Sequence, residues 1–287
     1  MAQSIGSMAG ILLWSVASAA QTPLEFSADP ATAAWQFQGD RTACRLTHEI
    51  PNFGEARFVQ EAGGRVAFDL SAWRIDLNGE MDVSTRAPAW LAAYPHTESL
   101  GRVSTRPPHA LVADAPLAEA MLRALYRGEQ PEFASPDVSV SISAVSFRPL
   151  YDAYARCVAQ LLPASFSQLE RSAIAFAPGK SVLDDSAKSR LDLVADYVRA
   201  DRTIKRIRVE GHTDSSGREH KNRMLSEQRA KAVTDYLVAA GCDPESIEAN
   251  FHGSRFPAAS NATEEGRAQN RRVTVHLERP HTRLAAR

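Results

Sequence analysis

The sequence lacks any long apolar run beyond its first residues. Its N-terminal apolar run, residues 8–16 of 287, is shorter than the roughly 20 apolar residues that a membrane-spanning helix needs, and we expect no transmembrane segment. Ala17-Ser18-Ala19 follows that run as an A-x-A cleavage pattern, so residues 1–20 predict a signal peptide and export. The segment before the run has no Lys or Arg, which leaves an uncleaved anchor or a buried N-terminal element as the alternative.

The chain also lacks an excess of either charge. Its 33 Lys and Arg against 34 Asp and Glu give a net charge of -1, which excludes broad electrostatic attraction to nucleic acid or to anionic lipid. Any anionic ligand must therefore be bound locally. With 44% hydrophobic residues, a chain of this length can form ordinary cores and is expected to divide into two domains.

Cysteine is scarce, with only Cys44, Cys157 and Cys242. In an exported protein Cys44 and Cys157 make a plausible disulfide, and closing so long a loop contributes roughly 4 to 5 kcal/mol in the chain-entropy model. Spacing alone does not separate the pairings, so any of the three remains a candidate free thiol. Cys242 is the residue that we expect to be the free thiol. No Cys follows the cleavage region directly, which argues against a lipid anchor.

Residues 21–165 predict a β-rich domain. The segments 56–60 and 65–70 flank Gly63-Gly64, a dipeptide suited to a tight hairpin turn. In residues 138–143 apolar side chains alternate with serines, which predicts apolar groups on one face and hydroxyls on the other. We expect an antiparallel sheet or small barrel, interrupted by one helix over 117–126 and followed by a junction helix that ends at Leu162-Pro163.

Residues 166–287 predict an α+β domain. Strands are expected at Ile174 to Phe176, at Ile207 to Val209, at 247–251 and at 273–277. An amphipathic helix is expected over 183–198, and a second helix is predicted to begin with Ser226 as its N-cap and to end before Gly241. The resulting order, β-α-β-α-β-β, predicts a sandwich of two helices on one mixed sheet.

Arg229 and Asp214 are the candidate binding residues on physical grounds. With Ser226 as N-cap, Arg229 falls in the first helical turn, where the helix dipole disfavours a cation and a bound carboxylate would compensate. Asp214, on the preceding loop, could receive an ammonium group, so the pair could hold a zwitterionic amino-acid head. The alternative is that the two pair with each other or with Glu227.

The loop and helix residues also carry a family signature. Gly211-His212-Thr213-Asp214 and Gly217, followed by Arg229-Ala230 and by Asn270-Arg271-Arg272-Val273, resemble the peptidoglycan-associating signature of OmpA-like domains. That resemblance implies that Asp214 and Arg229 hold the diaminopimelate residue of a peptidoglycan stem peptide, and that His212 packs the loop. It further implies that five residues line the same pocket: Thr213, Asn222, Leu225, Ser226 and Arg271.

One segment departs from the OmpA-like pattern. Members of that family often carry an acidic residue shortly after the aromatic of the first strand, whereas here Phe176 is followed by Ala177-Pro178-Gly179. A ligand contact from that side is therefore in doubt.

The N-terminal half resembles a second family. The segment 44–54, Pro88-Ala89-Trp90, the segment 128–131 and the segment 147–154 with Cys157 are similar to the MotY family of flagellar motor proteins. That resemblance implies an N-terminal domain that attaches to the flagellar basal body, often with a partner called MotX, and a bridge between Cys44 and Cys157. The expected role is a structural, periplasmic anchor of the stator units on the cell wall and outer membrane side, with no cofactor.

Two other functions compete with the motor role. A wall hydrolase would need a nucleophile, a carboxylate pair or a metal site, and the sequence has no Gly-x-Ser-x-Gly and no His-Glu-x-x-His, since His48-Glu49 lacks the second His. His212 and Asp214, two apart in a loop, are weak evidence for a metal, and none is expected. The third possibility is a general envelope tether that binds peptidoglycan without any motor role.

Overall fold

The computed structural model describes residues 22–74, 77, 79–87, 97–106 and 110–280. The predicted signal peptide, residues 1–20, and Trp90 of the N-terminal motif lie outside the described residues. Among the helices in these ranges, none combines the length and apolar character that crossing a membrane requires.

The N-terminal domain is built on an open, curled sheet of ten strands. Their order is β1-β10-β9-β6-β7-β8-β5-β4-β3-β2, and all neighbours are antiparallel except β1 and β10, which are parallel. The strands are β1 (Leu24–Phe26), β2 (Trp35–Gly39), β3 (Ala43–Ile50), β4 (Gly54–Glu61), β5 (Val66–Ala72), β6 (Glu80–Arg86), β7 (Thr97–Arg106), β8 (Ala110–Ala113), β9 (Gln130–Ala134) and β10 (Val138–Ser141).

Two local predictions concern this sheet. The hairpin at Gly63 is confirmed, because β4 and β5 pair antiparallel and Gly63 has φ of 65°, a left-handed conformation that glycine adopts without strain. The predicted alternation in residues 138–143 is kept along the strand β10, but the serine face is buried too, since Ser139 and Ser141 are buried as well as their apolar neighbours. Burial is tolerated because β10 lies between β1 and β9, and Ser139 Oγ donates to Glu132 Oε1 at 2.7 Å.

Two helices, rather than the one predicted, belong to the N-terminal domain. α1 (Ala115–Arg127) begins after the N-cap Asp114 and ends at Gly128, which has φ of 92°. α2 (Phe147–Val158) packs on β2 and β3. The predicted junction helix that ends at Leu162 is wrong, because Leu162 instead exchanges backbone hydrogen bonds with Arg41 and Gly63.

The predicted bridge between Cys44 and Cys157 is confirmed. It joins β3 to α2 with 6.1 Å between the Cα atoms, and it closes a sequence separation of 113 residues. Cys242 is a free, buried thiol, as predicted.

The C-terminal domain places its two long helices on one face of a mixed sheet of order β11-β14-β12-β13, in which only β12 and β13 are parallel. This confirms the predicted α+β class. The predicted order omits two short helices, one of which, α6, begins after the N-cap Thr263 between the last two strands. The elements are α3 (Phe166–Leu169), β11 (Arg171–Ala175), α4 (Asp185–Ala200), β12 (Arg206–Gly211), α5 (Glu219–Ala239), β13 (Ile247–Phe251), α6 (Glu264–Asn270) and β14 (Arg272–Glu278).

Side chains alternate strictly between the two faces of this sheet. In β12 and β14 the odd-numbered residues, such as Val209 and Val275, are buried in a core with α4 and α5. The even-numbered residues, such as Glu210 and Thr274, are only partly buried on the opposite face. The domain thus has one apolar and one polar sheet face.

Candidate functional site

The predicted binding residues gather around a cavity at the end of β12. The cavity has a volume of ≈ 400 Å³ and is bordered by the loop that follows β12, by α5 and by α6. Six of the seven predicted residues line it: Thr213, Asp214, Asn222, Leu225, Arg229 and Arg271. The seventh, Ser226, does not.

Ser226 holds the scaffold together instead. Its hydroxyl donates to the Arg223 carbonyl at 2.7 Å and accepts from the Gly253 N–H at 3.0 Å, and the residue is fully buried. The predicted N-cap role of Ser226 is wrong, because α5 begins at Glu219, two turns earlier. The polar segment 219–225 shows little apolar periodicity, which is why the sequence pattern placed the helix start too late.

Close packing of β12 on α5 fixes the loop that carries Asp214. A Cβ on Gly211 would lie 2.1 Å from the Ser226 carbonyl oxygen, so only glycine allows this approach. Asn222 then donates its side-chain amide to the Asp214 carbonyl oxygen at 3.3 Å. These contacts tie the loop to the helix and position the Asp214 carboxylate at the cavity.

The Asp214 carboxylate is held by two donors. Its Oδ1 accepts from the Ser216 N–H at 2.9 Å, and its Oδ2 accepts from Arg271 Nη1 at 3.1 Å. Burial alone would raise the pKa of Asp214, but the hydrogen bonds from Ser216 and Arg271 outweigh it and lower the pKa. Asp214 is therefore an anion at neutral pH, and its ion-pair partner is Arg271 rather than Arg229.

Arg229 is placed differently from the prediction. It lies well inside α5, so the argument from the helix dipole at a first turn does not apply. Its guanidinium is fully buried and donates to three carbonyl oxygens, those of Lys180 at 2.8 Å, His212 at 3.0 Å and Ala177 at 3.1 Å. Burial lowers the pKa of Arg229 to about 10, which still leaves it charged at neutral pH.

The three bonds of Arg229 leave two of its five N–H groups for another acceptor. Arg229 borders the cavity but is fully buried, so a ligand carboxylate could accept from these N–H groups once the cavity wall shifts slightly. In the free protein its hydrogen bonds connect His212, directly after β12, to the loop 177–180.

That loop is the segment that departs from the OmpA-like pattern. Pro178 and Gly179 line the cavity, while Ala177 and Lys180 supply carbonyls to Arg229. Their backbone therefore forms one wall of the site. The loss of an acidic ligand contact there stays a prediction.

α6 contributes two charged residues to the cavity, Glu264 and Arg267. Glu264 accepts from Arg271 Nη2 at 2.8 Å and from Arg267 Nη2 at 2.8 Å. Sequence reasoning missed Glu264, although Thr263 followed by two acidic residues is a typical helix start that would have placed it one turn from Arg267.

The cavity therefore combines both charges in a small volume. Two carboxylates and three guanidinium groups line it, those of Asp214, Glu264, Arg229, Arg267 and Arg271. Such an arrangement suits a ligand that carries an ammonium and one or more carboxylates, because each charge of the ligand finds an opposite charge within reach.

His212 is buried, as its predicted packing role requires, and does not line this cavity. Burial lowers its pKa to about 4, helped by the positive charge of Arg272, so the imidazole is neutral at pH 7. Its ring packs beside His252, with 5.1 Å between the ring centroids.

The chain matches two protein families, one after the other. The MotY N-terminal domain family matches residues 26–163, and the OmpA family matches residues 175–271. The sodium-type flagellar protein MotY of Vibrio parahaemolyticus is 28% identical over 265 residues, which cover 88% of this chain and 90% of that protein.

Two further similarities each cover less than half of this chain. The peptidoglycan-binding protein ArfA of Mycobacterium bovis is 38% identical over 139 residues, which cover 48% of this chain and 35% of ArfA. The solved structure of the peptidoglycan-associated lipoprotein from Burkholderia pseudomallei is 27% identical and covers 37% of this chain and 89% of that chain, with a TM-score of 0.36.

Proposed function

We propose a function from the two family matches of this chain, one to the MotY N-terminal domain and one, C-terminal to it, to the OmpA family. The protein is a structural component of the flagellar motor that binds peptidoglycan and helps to anchor stator units around the basal body. The observation that carries this proposal is the similarity to a MotY protein along 90% of its length, which includes both domains in the same order.

The wall-binding part of the proposal rests on the chemistry of the cavity. The free end of diaminopimelate in a peptidoglycan stem peptide bears one ammonium and one carboxylate. We assign the ammonium to Asp214, with Glu264 as the second carboxylate nearby, and the carboxylate to the unused edge of Arg229. Thr213, Asn222, Leu225 and Arg271 form the surrounding wall.

The motor part of the proposal rests on the N-terminal domain. We assign to it the attachment to the basal body, with MotX and the stator proteins as candidate partners. The location that follows is the periplasm, next to the cell wall and the outer membrane. A structural role fits the names of the relatives above, none of which is that of an enzyme.

Wall binding is tested by sedimentation of the full chain with purified peptidoglycan. Asp214→Ala removes the carboxylate that receives the ammonium, and the variant should remain in the supernatant. Asp235→Ala serves as the matched control, because Asp235 is an exposed residue of α5 that pairs with Lys231 and does not line the cavity. Equal sedimentation of wild type and Asp214→Ala would refute the assignment of the cavity, and release of soluble wall fragments would favour a hydrolase instead.

The motor role is tested by deletion of the gene in the source organism. Loss of swimming with filaments still present is the expected result, since stator units would lack their anchor. Normal swimming with a leaky envelope would contradict the motor role and favour a general envelope tether.

A further inference from the structure

The polar face of the C-terminal sheet carries a second group of chemically active side chains. Glu210 and His212 lie two residues apart at the end of β12 and so project from the same face. His252 comes directly after β13, and its N–H donates to the Gly211 carbonyl oxygen at 2.9 Å. The parallel pairing of β12 and β13 thus brings all three side chains to one end of the sheet.

The donor atoms of these three residues lie close together. One atom from each of Glu210, His212 and His252 falls within 4.8 Å of the other two. Within the described ranges, this is the one group of three His, Cys, Asp or Glu residues that meets such a distance. None of the three lines the cavity around Asp214, so the group is separate from the proposed wall-binding site.

We propose that Glu210, His212 and His252 form a binding site for a divalent transition-metal ion of the Zn²⁺ class, with water completing its coordination. Two imidazole nitrogens and one carboxylate oxygen are donors that Zn²⁺ prefers, whereas Mg²⁺ prefers oxygen alone. This donor set differs from the pair His212 and Asp214 that the sequence suggested, because Asp214 is bound to Arg271 at the other cavity.

The separation of the donors fits a site that closes around its ion. Bonds of about 2.0 to 2.1 Å to a tetrahedral ion place donor atoms about 3.3 Å apart, so small side-chain rotations are needed. Glu210 and His252 are only half-buried and border an open cavity of ≈ 540 Å³, which gives them room to rotate. His212 is the fixed ligand, since it is 4% exposed.

His212 also has an unmet bonding requirement. Its Nδ1 is buried and has no hydrogen-bond partner among the residues that the structure describes. A buried polar atom without a partner costs about 1 to 3 kcal/mol. Coordination of a metal ion by this nitrogen would supply the missing partner.

Positive neighbours limit the charge that the site can accept. Arg171 and Arg272 border the same cavity and oppose a cation, and the His276 imidazole lies with its Nε2 3.5 Å from Glu210 Oε2. The Glu210 carboxylate offsets Arg272. The ion must therefore be held by directional bonds to nitrogen more than by charge, which favours Zn²⁺, Ni²⁺ or Cu²⁺ over Mg²⁺ and Ca²⁺.

Calorimetric titration of the purified, chelator-treated full chain with ZnCl₂ tests the proposal. Saturable binding of one Zn²⁺ per chain is expected, with no competition from excess MgCl₂. His252→Ala and Glu210→Gln should each weaken that binding about tenfold or more, because even changes to residues behind metal ligands cost 10- to 100-fold. Both residues are half-buried, and circular dichroism of each variant checks that the fold is kept.

His220→Ala is the matched control, because His220 is an exposed histidine on α5 outside the group. It should bind Zn²⁺ as the wild type does. The proposal is overturned if the wild type shows no saturable binding, or if His252→Ala and Glu210→Gln bind Zn²⁺ as tightly as the wild type.

Discussion

Replacement of Arg229 by alanine should destabilise the C-terminal domain as well as remove a binding group. The change removes a donor from three carbonyl oxygens, of which that of His212 is buried, while that of Ala177 still accepts from the Lys180 N–H. The buried His212 carbonyl without its donor costs about 1 to 3 kcal/mol, and the cavity left by the fully buried side chain costs about 2 to 5 kcal/mol more. The change also removes the cost of burying a cation, roughly 3 kcal/mol for a pKa lowered from 12.5 to about 10. The expected net loss in the free energy of unfolding is about 3 kcal/mol.

Because the two domains can be followed by different signals, the loss of stability can be assigned to one of them. All four tryptophans, Trp14, Trp35, Trp73 and Trp90, precede the C-terminal domain, so tryptophan fluorescence follows the N-terminal domain. Urea unfolding should show an unchanged fluorescence transition and an earlier transition in far-ultraviolet circular dichroism, which includes the long helices α4 and α5.

Two further variants sharpen the Arg229 experiment. Arg229→Lys should lose part of the stability, because an ammonium cannot reproduce the planar fork that serves three separate carbonyls. Lys231→Ala on the exposed side of the same helix should change stability by less than about 0.5 kcal/mol. An Arg229→Ala variant within 1 kcal/mol of wild type would refute the reasoning, and would mean that water replaces the guanidinium at little cost.

Three more outcomes are expected. Loss of the disulfide through the Cys44→Ala, Cys157→Ala double variant should lower the stability of the N-terminal domain by up to about 4 to 5 kcal/mol, seen as an earlier tryptophan fluorescence transition. In metal-free protein, the free energy of unfolding should fall by roughly 3 kcal/mol as the pH drops from about 6.5 to about 4. The reason is that burial lowers the pKa of His212 in the folded protein to about 4, so that the unfolded chain binds the proton first. His212→Gln should flatten this dependence of stability on pH. Gly211→Ala should disrupt the cavity and wall binding, since its Cβ would lie 2.1 Å from the Ser226 carbonyl oxygen, and an unchanged circular dichroism melting curve would contradict this.

The sequence predicted most elements because their apolar periodicity is strong. The hairpin at Gly63, the helix α1 and all four strands of the C-terminal domain follow simple alternation or helical spacing. α2 was missed because Phe147 and Tyr154 are its only fully buried residues, which gives little helical pattern over Phe147–Val158. Where an element buries only a few side chains in the core, the spacing of its apolar residues does not indicate a helix or a strand clearly.

The sequence predicted which residues form the candidate site but not which of them contact one another. Six of seven residues line one cavity, yet the pairing of Asp214 with Arg271 depends on α6, a seven-residue helix without an apolar face. Because α5 begins earlier than predicted, Arg229 lies inside the helix, buried among carbonyl oxygens, and not at the helix end. The contact of His212 with His252 likewise follows from strand pairing, which local spacing does not reveal.

The central claim is that the cavity around Asp214 and Arg229 recognises a zwitterionic head on the cell wall. Sedimentation of the full chain with two kinds of purified peptidoglycan tests it most directly. One kind carries diaminopimelate in its stem peptides, and the other carries lysine, whose side chain has the ammonium but lacks the second carboxylate. The protein should sediment with the first and remain in solution with the second. Equal sedimentation with both would contradict the claim, because the guanidinium side of the cavity would then have no part in recognition.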